Sequence, residues 1–164
     1  MDRPWENEPD TLDWEHAGLK CAIRRNPHLG HLCGYAGVPL GHPWHGKRYD
    51  DEVSCPDIEA REYDPQRSSP IAMLCAAGKG CVERKMLPID LFISAHGGVT
   101  HAAGDGEYPV EGSDLWWFGF DCAHCDDYTP THGMSGTVYR DIAYVTAETE
   151  RLAEQLAAMW KEGD

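Results

Sequence analysis

The amino-acid sequence predicts an α+β fold, a mostly antiparallel sheet with irregular loops and one long C-terminal amphipathic helix packed on it. Three observations predict it: two strand-like segments, the first of them alternating, flank a turn cluster near the N-terminus, a nearly unbroken apolar run spans Leu115 to Phe120, and an apolar stripe of helical period closes the chain. Leu19-Lys-Cys-Ala-Ile-Arg24 alternates as a half-buried strand does. Asn26-Pro-His-Leu-Gly30 supplies turn residues, and His31 to Val38 supplies a second strand, so the pair reads as a hairpin. Pro39 to Gly46 is too rich in Gly and Pro for a regular element and reads as a shaped loop. Residues 64–88 read as a loop insertion. Ile89 to Ala95 is expected as a strand that stops at His96-Gly-Gly98. Leu115 to Phe120 is apolar on both faces, as in a strand central to its sheet. Val138, Ile142, Val145, Thr149, Leu152, Leu156 and Met159 form one stripe, which predicts a helix over 138–160 with Asp141 as N-cap. Glu148, Glu150, Arg151, Glu154 and Lys161 fall off the stripe and are expected to face water. The 164 residues fit one domain, 1–164, of which residues 1–15 read as an acidic arm.

The chain carries a formal charge of −14, which argues against general nucleic-acid binding because a phosphate backbone would be repelled. That charge is unevenly placed. Residues 16–48 hold Lys20, Arg24, Arg25, Lys47 and Arg48 with no acid, whereas residues 1–15 and 49–164 are net acidic. A cationic island in an acidic chain suits a small anionic ligand, or else it is the internal counter-charge of the fold. No apolar run reaches the roughly 18 residues of a membrane span, and the acidic N-terminal residues do not read as a signal peptide. These features lead to an expectation of a cytoplasmic protein with mostly reduced cysteines and no membrane partner. Cys122-Ala-His-Cys125 is the only CxxC, and two thiols with no second pair are too few ligands for structural zinc, so no metal is expected there. No motif names a cofactor, and a homo-oligomer is left open.

Three polar clusters close the predicted elements: Gly41 to Asp51, His96-Gly-Gly-Val-Thr-His101, and Asp121-Cys-Ala-His-Cys-Asp-Asp127. A scaffold that fixes its strand ends is a common place to build a site. Asp121 follows a buried strand directly and needs a partner, and His124 stands three residues on. Strict alternation would send the two to opposite faces, so convergence requires the strand to break at about Cys122. The expectation is that His96, Asp121 and His124 surround one cavity.

The segments Cys33-Gly-Tyr-Ala-Gly-Val-Pro39, Gly41-His-Pro-Trp-His-Gly46, Tyr49-Asp-Asp51, His96-Gly-Gly-Val-Thr100, Trp116-Trp-Phe-Gly-Phe-Asp-Cys-Ala-His124 and Tyr139-Arg140 together resemble a family of small proteins encoded by bacteriophages and bacterial genomes, actinobacterial ones among them. The resemblance runs from about Leu19 to Leu156. The chain departs from the family pattern at His45, where Tyr is usual, and at Cys125, and Arg67 to Lys85 reads as an insertion. The resemblance implies a phage or bacterial origin, with the host cytoplasm as location if phage-encoded, and a shared pocket, but it carries no activity. The candidate ligand-binding residues are His42, Tyr49, Asp50, His96, Thr100, Trp117, Asp121, His124 and Arg140.

The leading functional expectation is a small soluble binder of an anionic, nucleotide-like ligand that sequesters a host defence signal. Arg24, Arg25, Lys47 or Arg48, with Arg140, would contact phosphate, and Trp116, Trp117, Trp44 and Tyr35 offer stacking faces. The alternative is a metal-assisted or acid–base hydrolase of a phosphorylated or nucleotide substrate centred on His96, Asp121 and His124. Whether the chain is an enzyme stays open at this level. A cysteine nucleophile (Cys33 or Cys122) and an acidic decoy for a protein partner are the lesser alternatives.

Overall fold

The computed structural model describes residues 3–162, with side chains through Trp160. Met1 and Asp2 of the expected acidic arm, and the side chain of Lys161, lie outside the described residues. The architecture is α+β. Strands β1 (Thr11–His16), β2 (Leu19–Arg25) and β3 (Leu32–Val38) are followed, after a long irregular stretch, by β4 (Glu52–Ser54), helices α1 (Pro70–Gly78) and α2 (Cys81–Arg84), strand β5 (Met86–Pro88), the one-turn helix α3 (Ile89–Phe92), strands β6 (His101–Ala103) and β7 (Trp116–Asp121), and the long helix α4 (Ile142–Glu162). Five strands form an antiparallel sheet in the order β1-β2-β3-β7-β6, and β4 and β5 pair separately. No helix among the described residues is long and apolar enough to cross a membrane.

The expected hairpin is β2–β3, with Arg25 opposite Leu32 and Lys20 opposite Gly37. The apolar run at 115–120 becomes β7, paired on both sides. Its alternation sorts the side chains: Phe118 and Phe120 join the main core under α4, whereas Trp117 goes to the opposite face with Tyr35 and Ala22. Helix α4 lies across β3 and β2, burying Val145, Thr149, Leu152, Ala153 and Leu156. Gly34 of β3 is what lets it lie so close, because a Cβ there would overlap the Thr149 hydroxyl and the Phe120 ring.

Four local expectations are corrected. Ile89 to Ala95 is not a strand: pairing ends at Pro88, the helical turn α3 follows and buries Ile89 and Leu91, and Ile93 is buried just after it. The stretch 64–88 is not a bare loop, since it carries α1, α2 and β5, with α1 capped by the Ser69 hydroxyl accepting from the Ala72 amide. Helix α4 begins four residues later than the stripe implied. Val138 is exposed and lies in a parallel bridge with Asp127, and Asp141 caps the helix by accepting from the Tyr144 amide at 2.9 Å. Glu148 does not face water. It is buried, accepting from Arg67 at 3.1 Å and from Arg151 at 3.4 Å.

The acidic arm is built into the sheet from Thr11 onward, and its earlier residues grip the start of α4. Glu8 accepts from the Tyr139 hydroxyl and from the Ile142 amide, both at 2.7 Å, and Trp5 stacks on Tyr128. Arg25 pairs with Asp10 and Glu8, and Arg24 with Asp13. Two of the five cations of the island, Arg24 and Arg25, are thus consumed by acids that precede them in the chain, and Arg48 pairs with Asp50, which follows it.

Candidate functional site

Strand β7 ends at Asp121, and the turn that follows swings His124 and Asp127 back across the end of the sheet. The Asp127–Val138 bridge holds this turn, with Tyr128 N–H donating to the Val138 carbonyl at 2.8 Å and Val138 N–H to that of Asp126 at 2.9 Å. Two residues on, Arg140 enters the site, and Tyr144 projects from the first turn of α4. On the other side, Gly97 N–H donates to the Gln66 carbonyl, which pins the His96-Gly-Gly segment against the Pro65–Pro70 stretch.

Asp127 is the hub. Its carboxylate receives His96 Nε2–H at 2.9 Å from both oxygens, Arg140 Nε–H at 2.9 Å, the His124 amide at 2.9 Å and His124 Nδ1 at 3.3 Å. Burial opposes ionisation of Asp127, but these donors outweigh it and hold the carboxyl well below the usual carboxylate range. The hydrogen bond to Asp127 in turn raises the His124 imidazole above its ordinary value, against the opposing pull of burial and with Asp121 adding to the rise. His96 is buried, and its Nδ1 lies 2.8 Å from the Tyr144 hydroxyl. Gly97, at φ +71°, lies directly beneath His124, whose ring occupies the space a Cβ would fill.

A cavity of about 460 Å³ opens here, walled by Arg67, His96, Gly97, His124, Asp126, Asp127, Arg140 and Tyr144. Arg67 is fully engaged, with Nε and one Nη on Glu148 and the other Nη on Asp64. Arg140 is not. Its Nε is anchored on Asp127 and its guanidinium lies over the Tyr144 ring at 5.1 Å, while neither Nη has a hydrogen-bond partner among the described residues. A second cavity of about 430 Å³ shares His124 and Gly97 with the first and is lined by Tyr49, Asp50, Asp90 and Thr100.

The structure therefore brings His96, His124 and Arg140 to one cavity, and Tyr49, Asp50 and Thr100 to the adjoining one. Asp121, expected at the same cavity as His96 and His124, lines neither; it sits beside them, accepting from Thr100 Oγ1 and the Ala123 amide at 3.0 Å, with His124 Nε2 3.9 Å away. His42 and Trp117 are not part of this arrangement. His42 is buried, accepting from the Trp44 amide at Nδ1 and donating from Nε2 to the Leu156 carbonyl, a neutral ring that ties a loop to α4. Trp117 and Tyr35 are buried on the far face of the sheet, and Trp44 is in the core, so none offers a stacking face. Arg24, Arg25, Lys47 and Arg48 line neither cavity. The cysteine-nucleophile alternative also fails on environment: burial pushes the Cys33 thiol up to about 12 and that of Cys122 well above its ordinary value. Cys122 points into the core and Cys125 is exposed, so the CxxC does not converge.

Asp127, Tyr144 and Arg67 are the site residues that sequence reasoning missed. The i, i+3 spacing of His124 and Asp127 was a legible signal for the first. The i, i+4 spacing of Arg140 and Tyr144 across a capped helix start was one for the second. Arg67 lay in the stretch read as an insertion. His96, His124 and Asp127 can also offer ligand atoms that all lie within 4.8 Å of one another. Compared with protein-family models, with curated proteins and with solved structures, the chain shows no match.

Proposed function

We propose that the protein binds a small anionic, nucleotide-like ligand in the cavity between Arg140 and His124, and that in a phage-encoded chain this binding withdraws a host defence signal within the host cytoplasm. The observation that carries the reading is the Arg140 guanidinium, oriented by Asp127 and Tyr144 with both Nη groups uncommitted at the cavity wall. A fork held in that way loses little freedom when it takes two oxygens of a phosphate or carboxylate. His124, biased toward its charged form, adds a second donor from the same wall. The volume falls in the range of small-molecule sites. A net charge of −14 repels anions from most of the surface, so recognition must be local.

Calorimetric titration with inorganic phosphate, AMP and ADP tests this. Arg140→Gln is expected to weaken binding about 10- to 100-fold, the worth of a charge-assisted hydrogen bond. Equal affinity in the variant, or no binding of any of the three anions, would overturn the reading.

One observation favours the acid–base hydrolase as a second reading: His124 stands between two carboxylates, with Nδ1 on Asp127 and Nε2 facing Asp121. It makes His124 the proton donor to a leaving group, with His96 and Asp121 orienting. Mass spectrometry of the nucleotide after incubation separates the two, since a binder returns it intact and a hydrolase does not.

A further inference from the structure

We propose that His96 Nε2, His124 Nδ1 and Asp127 Oδ2 form a mononuclear site for a divalent transition ion of the zinc class, with its open position facing the Arg140 cavity. This site is distinct from the CxxC, where two thiols diverge, and it does not depend on the anion-binding reading.

Spacing is the first argument. Bonds of about 2.1 Å place neighbouring ligand atoms about 3.0–3.4 Å apart in tetrahedral or octahedral geometry. His96 Nε2 lies 2.9 Å from either oxygen of Asp127, and His124 Nδ1 lies 3.3 Å from Oδ2. Two of the three edges of the ligand triangle already have the dimensions an ion requires, and the third closes within 4.8 Å.

The outer partners are the second argument, because ligating groups need their remaining polar atoms held. With Nε2 on the ion, the His96 proton moves to Nδ1 and donates to the Tyr144 hydroxyl oxygen, now 2.8 Å away. With Nδ1 on the ion, His124 carries its proton on Nε2, toward Asp121 at 3.9 Å, and Thr100 holds Asp121 in place. Asp127 Oδ1 keeps the Arg140 hydrogen bond, and Oδ2 keeps that of the His124 amide on one lone pair and ligates with the other. Tyr144 and Arg140, at the start of α4, thus hold His96 and Asp127, and Asp121, at the end of β7, faces His124. Two imidazoles and one carboxylate suit a borderline ion such as Zn²⁺ or Co²⁺ better than Mg²⁺ or Ca²⁺, which prefer all-oxygen shells. One carboxylate leaves a divalent ion with net positive charge, and Arg140 adds to it, so the open position favours an anionic fourth ligand.

The test uses the metal alone. The full-length chain, stripped with chelator, is titrated with Co²⁺ by visible absorption and with Zn²⁺ by calorimetry. One ion per chain is expected. His124→Gln should weaken binding by about 100-fold or more, beyond the cost of losing an outer partner, and the double variant Cys122→Ser/Cys125→Ser should bind as the wild type does. Stoichiometry well below one, undiminished affinity in His124→Gln, or a thiolate charge-transfer band with Co²⁺ would overturn the proposal. Histidine ¹⁵N spectra of the wild-type chain supply a readout independent of any variant's folding. Zn²⁺ should shift one ring at Nε2 and a second at Nδ1, and an unchanged pair would equally overturn the site.

Discussion

Asp90 carries a buried carboxyl whose Oδ1 has no hydrogen-bond partner among the described residues, and Asp50 lies close enough to repel it. Burial, with the Asp50 charge adding to it, raises the Asp90 pKa from 3.8 to about 6. A carboxyl raised in the folded state contributes most below its unfolded pKa, and that contribution is lost as pH climbs through about 6. A shift of this size corresponds to a cost on the order of 3 kcal/mol at neutral pH. Asp90→Asn, which cannot ionise, should therefore be more stable than the wild type at pH 8, by about 1–3 kcal/mol in urea denaturation, with the gap closing by pH 4. A gap that is the same at both pH values would show that the carboxylate is not the source of the cost. The same residue lines the cavity next to His124, so the wild-type chain retains a strained acid within reach of the site.

At the scale of elements, the contact between α4 and the sheet depends on Gly34 in β3. An added Cβ would overlap Thr149 Oγ1, itself bound to the Val145 carbonyl at 2.7 Å, and the edge of the Phe120 ring. Gly34→Ala should destabilise by about 1–3 kcal/mol, the usual result of overpacking a dense core. Adding Thr149→Ala should restore part of the loss, because it removes one of the two overlapping groups, and chemical denaturation of the single and double variants would measure the coupling. Additive effects would mean that the helix already moves away. The helix start is held from both sides, by Asp141 capping from within and by Glu8 accepting the Ile142 amide from the arm. That double grip is what fixes Arg140 and Tyr144, just before and just inside the helix, at the cavity.

Across the whole molecule, three ionisable groups set opposed pH dependences. Asp127 is depressed, so its contribution is present above the ordinary carboxylate value and is lost as pH falls. His124 is raised, so its contribution is complete below the ordinary 6.5 and is lost as pH rises through the folded value. Asp90 adds a second loss, which accrues as pH climbs from its ordinary 3.8 to about 6. The thermal midpoint should therefore peak on the mildly acidic side, at about pH 5, and decline by pH 8, a trend that self-repulsion among charges netting −14 reinforces. Differential scanning calorimetry across pH 4–8 checks this, and a midpoint that rises steadily to pH 8 would contradict it.

What the sequence by itself determined was local and periodic. Alternation marked β2, the turn cluster after it marked β3 as its hairpin partner, a run apolar on both faces marked β7, the apolar stripe marked α4, and Asp141 marked its cap, because burial of a repeating face and satisfaction of helix-end amides are properties of neighbouring residues. The strand-end clusters likewise pointed to His96, Asp121 and His124. The tertiary structure alone decided which charges are spent and which remain open. The cationic island reads as a ligand site until β1 and the arm are seen to consume Arg24 and Arg25, and Glu148 reads as a solvent residue until Arg67 and Arg151 close on it. Tertiary structure also made Asp127, rather than Asp121, the hub of the site. Its partners His96, His124 and Arg140 come from three separate segments, and a buried carboxylate is held ionised by donors that only the folded chain brings together.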